Sequence, residues 1–182
     1  RPTGEVDLRP VESAARLLER GDQLGHREVT EHARLLLGAA RVEVLASAGL
    51  ADSVESAEGG ESSAENDASL LLRVSVDGLS LLLAGDTEDT GQERLLGLGA
   101  AVDVDVLLVP HHGSSRQSAA FLGLTTPEIA LVSVGANNDY GHPTAKTLKV
   151  VGALTPNVVR TDLHGAVAVA RVAGRLQVTT QR

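Results

Sequence analysis

The chain has 182 residues, a length that fits one domain with an apolar core of its own. It has no cysteine, which excludes disulfides and thiolate metal sites, so His, Asp and Glu are the side chains left to bind a metal. The net charge of −8 argues against a nucleic-acid binder that works through its own basic surface. The sequence shows no signal peptide and no apolar run near the ~20 residues of a membrane span, so we expect a soluble chain.

The first third of the chain has the weaker pattern. The segment RPVESAARLLERG predicts a short amphipathic helix, and the region from Arg27 to Ala46 predicts short strands. Residues 47–67 are rich in Ser, Gly, Ala and acidic side chains and contain no basic residue, which predicts a mobile acidic surface loop. We therefore expect a single domain over residues 1–182 whose motif-bearing core lies in residues 68–182.

From Ala68 onward, strands alternate with helices. The segments ASLLLRVSV and LSLLLAG flank Asp77-Gly78, a pair typical of a β-hairpin turn. Predicted helices at TEDTGQERLLGLG, SRQSAAFLGL and PTAKTLKVVGAL are separated by the predicted strands VDVDVLLVP, EIALVSVG and NVVRT, and AVAVARVAGRLQVTT predicts a closing hairpin. The alternation predicts an α/β fold with antiparallel hairpins at its edges.

Polar side chains follow three of these strands. Asp86 comes after LLLAG, His111 and His112 come after LLVP, and His142 follows LVSVGANNDYG. Each has an ordinary explanation by itself, since an Asp after Gly is commonly a helix cap and a lone His a loop residue. Because the carboxyl ends of parallel strands meet at one edge of a sheet, the three together predict a shared site. A carboxylate that bridges two divalent ions, with imidazoles as further ligands, suits metal-assisted hydrolysis.

Small residues beside these positions have predicted backbone roles. Gly85 would let the chain approach a metal closely, and Gly113 would let the backbone leave the histidine pair in a tight turn. Ser114 and Ser115 are predicted to cap the next helix, whose first amides could also hold a phosphate. For Ser115, capping alone is the preferred interpretation.

Four motifs together resemble a known family. In order and spacing, NDASLLLRVSVDGLSLLLAGDTE, VDVLLVPHHGSS, PEIALVSVGANNDYGHP and VVRTDLHGAVAV are similar to the C-terminal metallo-β-lactamase-like domain of the ComEC family, membrane channel proteins of natural competence that take up DNA. The resemblance covers about residues 41–172, and residues 1–40 match only loosely. It implies the C-terminal portion of an αββα sandwich, a site for two divalent ions (Zn or Mn), and a role in degrading or processing the DNA strand that is not imported.

The resemblance also implies roles for particular residues. Asp86 of the GD motif matches the bridging carboxylate, and one histidine of HHGS matches a terminal metal ligand. We assign that ligand to His112, since its distance along the chain from Asp86 suits the connection seen in the superfamily. His111 would then lie behind the ligands or touch the substrate. His142 matches a pocket residue, either a ligand or a phosphate-binding acid.

Three further polar residues allow a structural explanation. Asp162 and His164 of RTDLHG fit a turn before the last hairpin, and we prefer that interpretation to a functional one. Asn66, at the start of NDAS, either points into the site or caps a strand.

One motif of the superfamily is missing from this sequence. The leading cluster His-x-His-x-Asp-His should precede the other motifs, but His26 and His32 are six apart with no Asp between them and cannot replace it. Whether this chain is an enzyme is therefore open. One interpretation, favoured by the start at Arg1 and the retained motifs, is the distal part of a metal-dependent phosphodiesterase or nuclease domain. Its remaining half would lie upstream, in a plasma-membrane protein that carries the domain on a soluble face.

Two alternatives remain open. The chain could be a catalytically degenerate scaffold or DNA-contacting lobe of the same channel protein, or part of another metallo-β-lactamase-like phosphoesterase. In each case the acidic balance of the chain predicts weak intrinsic affinity for DNA.

Overall fold

A computed structural model describes residues 34–47, 66–97, 99 and 101–182. The helix predicted at residues 9–21 and most of the predicted acidic loop lie outside these described residues.

The main feature is a sheet of seven strands in sequential order. Its strands are β1 (Arg34–Leu37), β2 (Ala40–Ser47), β3 (Leu70–Val76), β4 (Leu79–Leu83), β5 (Val106–Leu108), β6 (Ile129–Val132) and β7 (Val158–Arg160). The first four strands pair antiparallel, and β4 to β7 pair parallel. The parallel half matters most for a site, because β4, β5 and β6 all end at the same edge.

The described helices are α1 (Asp89–Gly97), α2 (Ala119–Leu124), α3 (Ala145–Leu154) and α4 (Thr161–His164). The first three supply the crossovers between the parallel strands, as parallel pairing requires. Phe121, the one phenylalanine of the chain, is completely buried in a cluster with Leu82, Leu107 and Val151. One aromatic side chain thus anchors a core otherwise made of Leu, Val, Ala and Ile.

The last two strands form a separate hairpin, β8 (Val167–Val172) with β9 (Arg175–Thr180). Arg171 of this hairpin forms an ion pair of 2.7 Å with Asp105, which precedes β5. Burial alone would raise the pKa of Asp105, but hydrogen bonds from Ser80 and Arg171 outweigh it and hold that pKa below its usual value. The pair therefore links the hairpin to the main sheet.

The predicted α/β class is confirmed, and so are both hairpins. At the first, Asp77 and Gly78 both have positive φ (48° and 74°), which a two-residue hairpin loop requires. The strand predicted at residues 102–110 is shorter, because Val102 and Val104 are buried without joining the sheet. In the part of the chain that the structure describes, no helix is long and apolar enough to cross a membrane.

Candidate functional site

The three predicted strand-end positions meet at the carboxyl edge of the parallel strands. Asp86 follows β4, His111 and His112 follow β5, and His142 lies in the loop after β6. The His111 amide donates to the Gly85 carbonyl at 3.0 Å, which joins the first two loops through their backbones. The sequence prediction that these residues share one edge is thus fulfilled in the structure.

Asp86 and His112 face each other directly. His112 Nε2 lies 3.6 Å from Asp86 Oδ1, and both side chains are about half exposed, at 52% and 47%. The other ring nitrogen of His112, Nδ1, lies 2.7 Å from the carbonyl oxygen of Ser133, which fixes the ring orientation. This arrangement leaves Nε2 and a carboxylate oxygen together at an open surface, as a cation or a proton-transfer reaction would need.

The backbone of the histidine pair is unusual. His111 and His112 have φ values of 45° and 52°, in the left-handed region, within the short turn from Pro110 to Gly113. A residue other than glycine in this region costs about 1–2 kcal/mol. Two adjacent strained residues are held only where the surroundings over-determine them, and such strain clusters at functional sites.

Gly113 connects this turn to the loop of His142. Its φ is +81°, and a Cβ at this position would lie 2.6 Å from Pro143 Cβ. Its carbonyl also accepts a hydrogen bond of 2.9 Å from the Thr144 amide. Glycine is therefore required here by both conformation and space, which confirms the tight turn predicted after the histidine pair.

The sequence suggested that Gly85 lets the chain approach a metal, but its close neighbour in the structure is the side chain of Ser69. Its φ is +55°, and a Cβ there would lie 2.9 Å from both Cβ and Oγ of Ser69. Ser69 Oγ also accepts a hydrogen bond of 3.2 Å from the Asp86 amide. The close approach that glycine permits is thus to a neighbouring side chain that positions Asp86.

A buried acid lies behind the histidine pair, and the sequence analysis missed it. The side chain of Glu88 is only 4% exposed, and its two oxygens lie 3.3 Å from His111 Nδ1 and 2.9 Å from Arg116 Nη1. Asn66 Nδ2 donates to the same carboxylate at 3.2 Å, so Asn66 supports the site from behind. A carboxylate this buried needs such partners. Its position in the motif LLLAGDTE, two residues after Asp86, was the available sequence signal.

His142 adjoins the histidine pair through its ring. The centroids of His142 and His111 are 5.5 Å apart, with planes inclined at 71°. On its other side, the His142 ring stacks against Tyr140 at 6.2 Å and 20°. The three histidines and Tyr140 thus form one continuous group of rings.

A pocket of about 440 Å³ opens beside these rings. Its lining includes His112, Val134, Asn138, Tyr140, His142 and Thr161. A volume of this size falls within the range of ligand-binding pockets. Among the described residues that line it there is no Asp, Glu, Lys or Arg, so the wall offers ring faces, apolar groups and neutral polar side chains.

The predicted caps need a correction. Helix α2 begins at Ala119 and is capped by Ser118, whose hydroxyl accepts from the Phe121 amide, so Ser114 and Ser115 do not cap it. Ser114 is buried, and its carbonyl accepts a hydrogen bond from Thr147 of α3. The chain between the histidine turn and α2 is longer than the pattern suggested, because Thr147 and Lys146 of α3 donate hydrogen bonds to the Ser114 and Ser115 carbonyls.

Asp162 and His164 make local contacts that fit the turn interpretation. The side-chain hydrogen bonds from Arg160 hold the pKa of Asp162 below its usual value. His164 Nδ1 lies 3.1 Å from the Arg160 amide nitrogen. Both residues therefore stabilise the short helix α4 before the last hairpin.

The described residues do not make a complete metal site. Within residues 34–47, 66–97, 99 and 101–182, no group of three or more His, Asp or Glu side chains is arranged to hold a metal ion. Asp86 and His112 are donors of the kind that Zn and Mn accept. Their number falls short of the three or four protein ligands of a zinc site.

Three curated bacterial proteins are similar to this chain. ComE operon protein 3 of Bacillus subtilis is 34% identical over 115 residues, 63% of this chain. Competence protein ComA of Neisseria gonorrhoeae is 40% identical over 104 residues, 56% of this chain. Recombination protein 2 of Haemophilus influenzae is 29% identical over 123 residues, 65% of this chain. The chain spans 15% of the length of each relative.

No protein-family model matches the sequence. The class defined by the structure is a mixed α/β domain with a polar site at one sheet edge. The comparisons relate that domain to a short portion of bacterial competence proteins, which supports the family resemblance seen in the motifs.

Proposed function

We propose that this chain is the C-terminal part of a metallo-β-lactamase-like domain of a competence protein, and that it contributes to the hydrolysis of phosphodiester bonds in DNA during uptake. The observation that carries the proposal is the meeting of three strand-end motifs at one sheet edge, with Asp86 and His112 3.6 Å apart and His112 in the wall of a pocket. The similarity to proteins named for competence supports DNA as the substrate.

Two divalent ions, Zn or Mn, belong to this proposal as cofactors. Asp86 and His112 would supply ligands, and the remaining ligands would come from parts of the parent protein beyond the described residues. The length of the relatives leaves room for them, because the matched portion is 15% of each. Since the donors described here do not complete a metal site, we assign no reaction step to a metal. The parent protein would carry this domain on a soluble face of the plasma membrane.

The two other histidines would act on the substrate or its protons. His142 lies at the pocket wall, where its ring could donate a hydrogen bond to a phosphate oxygen. His111 is only 12% exposed and lies against Glu88, so it positions the His112 and His142 rings from behind.

A second candidate is a catalytically degenerate lobe that serves as scaffold or contacts DNA in the same protein. The shortage of metal ligands among the described residues favours it. Asp86 and His112 then keep their positions only through the packing of their loops.

Metal titration of the purified chain separates these candidates. We expect calorimetry with Mn and Zn to detect binding that weakens at least about tenfold in the Asp86→Ala, His112→Ala double variant, because it removes both donors. Glu128→Ala, His164→Ala is the matched control. It removes one carboxylate and one imidazole outside the pocket lining, since Glu128 precedes β6 at the opposite sheet edge and His164 contacts the Arg160 backbone. Equal affinity of the two double variants would refute Asp86 and His112 as ligands and favour the scaffold.

A further inference from the structure

The pocket wall contains an exposed aromatic ring that the proposed hydrolysis does not use. Tyr140 is the one tyrosine of a chain that contains no tryptophan, and its side chain is 74% exposed. Its ring lies almost parallel to that of His142, at an interplanar angle of 20°. A large exposed aromatic side chain held flat at a pocket mouth is the usual platform for stacking against a planar ligand.

The loop that carries Tyr140 is held in place by its own hydrogen bonds. Asn138 Nδ2 donates to the His142 carbonyl at 2.8 Å and to the Gly135 carbonyl at 3.2 Å, and Asn138 Oδ1 accepts from the His142 amide at 3.2 Å. Both ends of the segment 138–142 are thus tied together by one side chain. The platform is ordered before a ligand arrives, which lowers the entropy lost on binding.

The polar side chains of the pocket limit which ligands it can distinguish by hydrogen bonding. The Asn138 amide bonds the loop backbone, and Thr161 Oγ1 donates to the Val134 carbonyl at 2.7 Å and accepts from the Val134 amide at 2.7 Å. These side chains are therefore engaged with the protein rather than aimed at a ligand edge. The ring faces and the apolar part of the wall would bind a flat heterocycle mainly by stacking.

We propose that this pocket is a nucleobase subsite, in which a base of a single DNA strand stacks on Tyr140 and its phosphate lies toward the rings of His112 and His142. The proposal rests on the proposed action on DNA and adds the mode of substrate binding. Stacking predicts tolerance of all four bases, with purines favoured over pyrimidines by their larger faces. It also predicts that a strand must be locally unpaired to bind, because a base inside a duplex has no free face.

The fluorescence of Tyr140 can report on ligand binding at this residue. It is the one tyrosine of the chain, and there is no tryptophan to mask its emission. We would titrate the full 182-residue chain with oligo(dA) and oligo(dT) at low salt in EDTA, using N-acetyltyrosinamide to correct for light absorbed by the nucleotides. The expected result is saturable quenching by both oligonucleotides, stronger for oligo(dA). An abasic oligonucleotide of equal length and charge should quench little. Equal quenching by the abasic strand, or no saturable quenching by any strand, would overturn the proposal.

Variants test whether the ring itself supplies the affinity. By the anisotropy of labelled oligo(dA), Tyr140→Phe should bind like the wild-type chain because it keeps the ring. Tyr140→Ala should bind about 5- to 100-fold more weakly, the loss expected for one stacked base. Leu124→Ala, which removes an exposed apolar side chain of α2 outside the pocket lining, is the control and should leave binding unchanged. Equal binding by Tyr140→Ala and the wild-type chain would refute the subsite.

The two proposals fail separately. The fluorescence titration in EDTA requires neither metal nor catalysis, whereas the calorimetric titration requires no DNA. Quenching, together with equal metal affinity of the two double variants, would retain the base subsite and remove Asp86 and His112 as ligands. Metal binding without quenching would retain Asp86 and His112 as ligands and remove the subsite.

Discussion

Replacing Gly113 by alanine tests the contact that joins the histidine turn to the His142 loop. The new Cβ would lie 2.6 Å from Pro143 Cβ and 3.2 Å from Pro143 Cα, so the two loops would have to move apart. Gly174, in the turn between β8 and β9, provides a matched control. Its φ of +80° is almost the same as the +81° of Gly113, but no heavy atom lies within 4 Å of a Cβ built there.

The two substitutions share the backbone contributions, whereas the clash with Pro143 occurs only at Gly113. Alanine in the left-handed region costs about 1–2 kcal/mol. The reduced entropy of the unfolded chain returns about 0.4–1 kcal/mol. Gly174→Ala should therefore lower the free energy of unfolding by about 1 kcal/mol. Gly113→Ala adds the overpacking against Pro143, about 1–3 kcal/mol, and should lower it by about 2–4 kcal/mol.

Urea unfolding followed by far-ultraviolet circular dichroism measures both values under one condition. Tyr140 emission in the folded state provides a second observable, because Tyr140 and Pro143 lie in the same loop. We expect Gly113→Ala to change that emission and Gly174→Ala to leave it as in the wild-type chain. Equal destabilisation by the two variants, with unchanged emission in both, would show that the close contact of Gly113 with Pro143 does not exist.

Two further predictions concern acids held in ion pairs, the buried Glu88 and the partly buried Asp105. Glu88→Gln should lower the free energy of unfolding by about 1–3 kcal/mol in urea, because it removes a buried charge paired on two sides. Asp89→Asn, a half-exposed neighbour, should cost under about 1 kcal/mol, and equal losses would contradict the argument. Since the pKa of folded Asp105 is lowered, its contribution is present above the unfolded pKa of about 4 and disappears as the pH falls through the folded value. Asp105→Asn should therefore weaken the fall in the free energy of unfolding at acid pH. An unchanged pH dependence would refute the role of Ser80 and Arg171.

The sequence determined the features that depend on neighbouring residues. The Asp77-Gly78 turn, the alternation of strands and helices, and the closing hairpin all follow from local turn chemistry and hydrophobic periodicity, and all three are present. The rule that parallel strands end at one edge then placed Asp86, the histidine pair and His142 together. Local signals did not single out the helix start at Ala119, because several nearby serines are equally good N-caps.

The tertiary structure decided what depends on segments distant along the chain. Which histidine faces Asp86 is set by the left-handed turn at His111 and His112, and that turn is held by contacts with Gly85 and the loop of Pro143. No local pattern encodes such contacts. The burial of Glu88 and the exposure of the Tyr140 ring at the pocket mouth also depend on contacts between distant segments. A carboxylate is buried, or a ring left at a pocket mouth, only through the packing of loops brought together by the sheet.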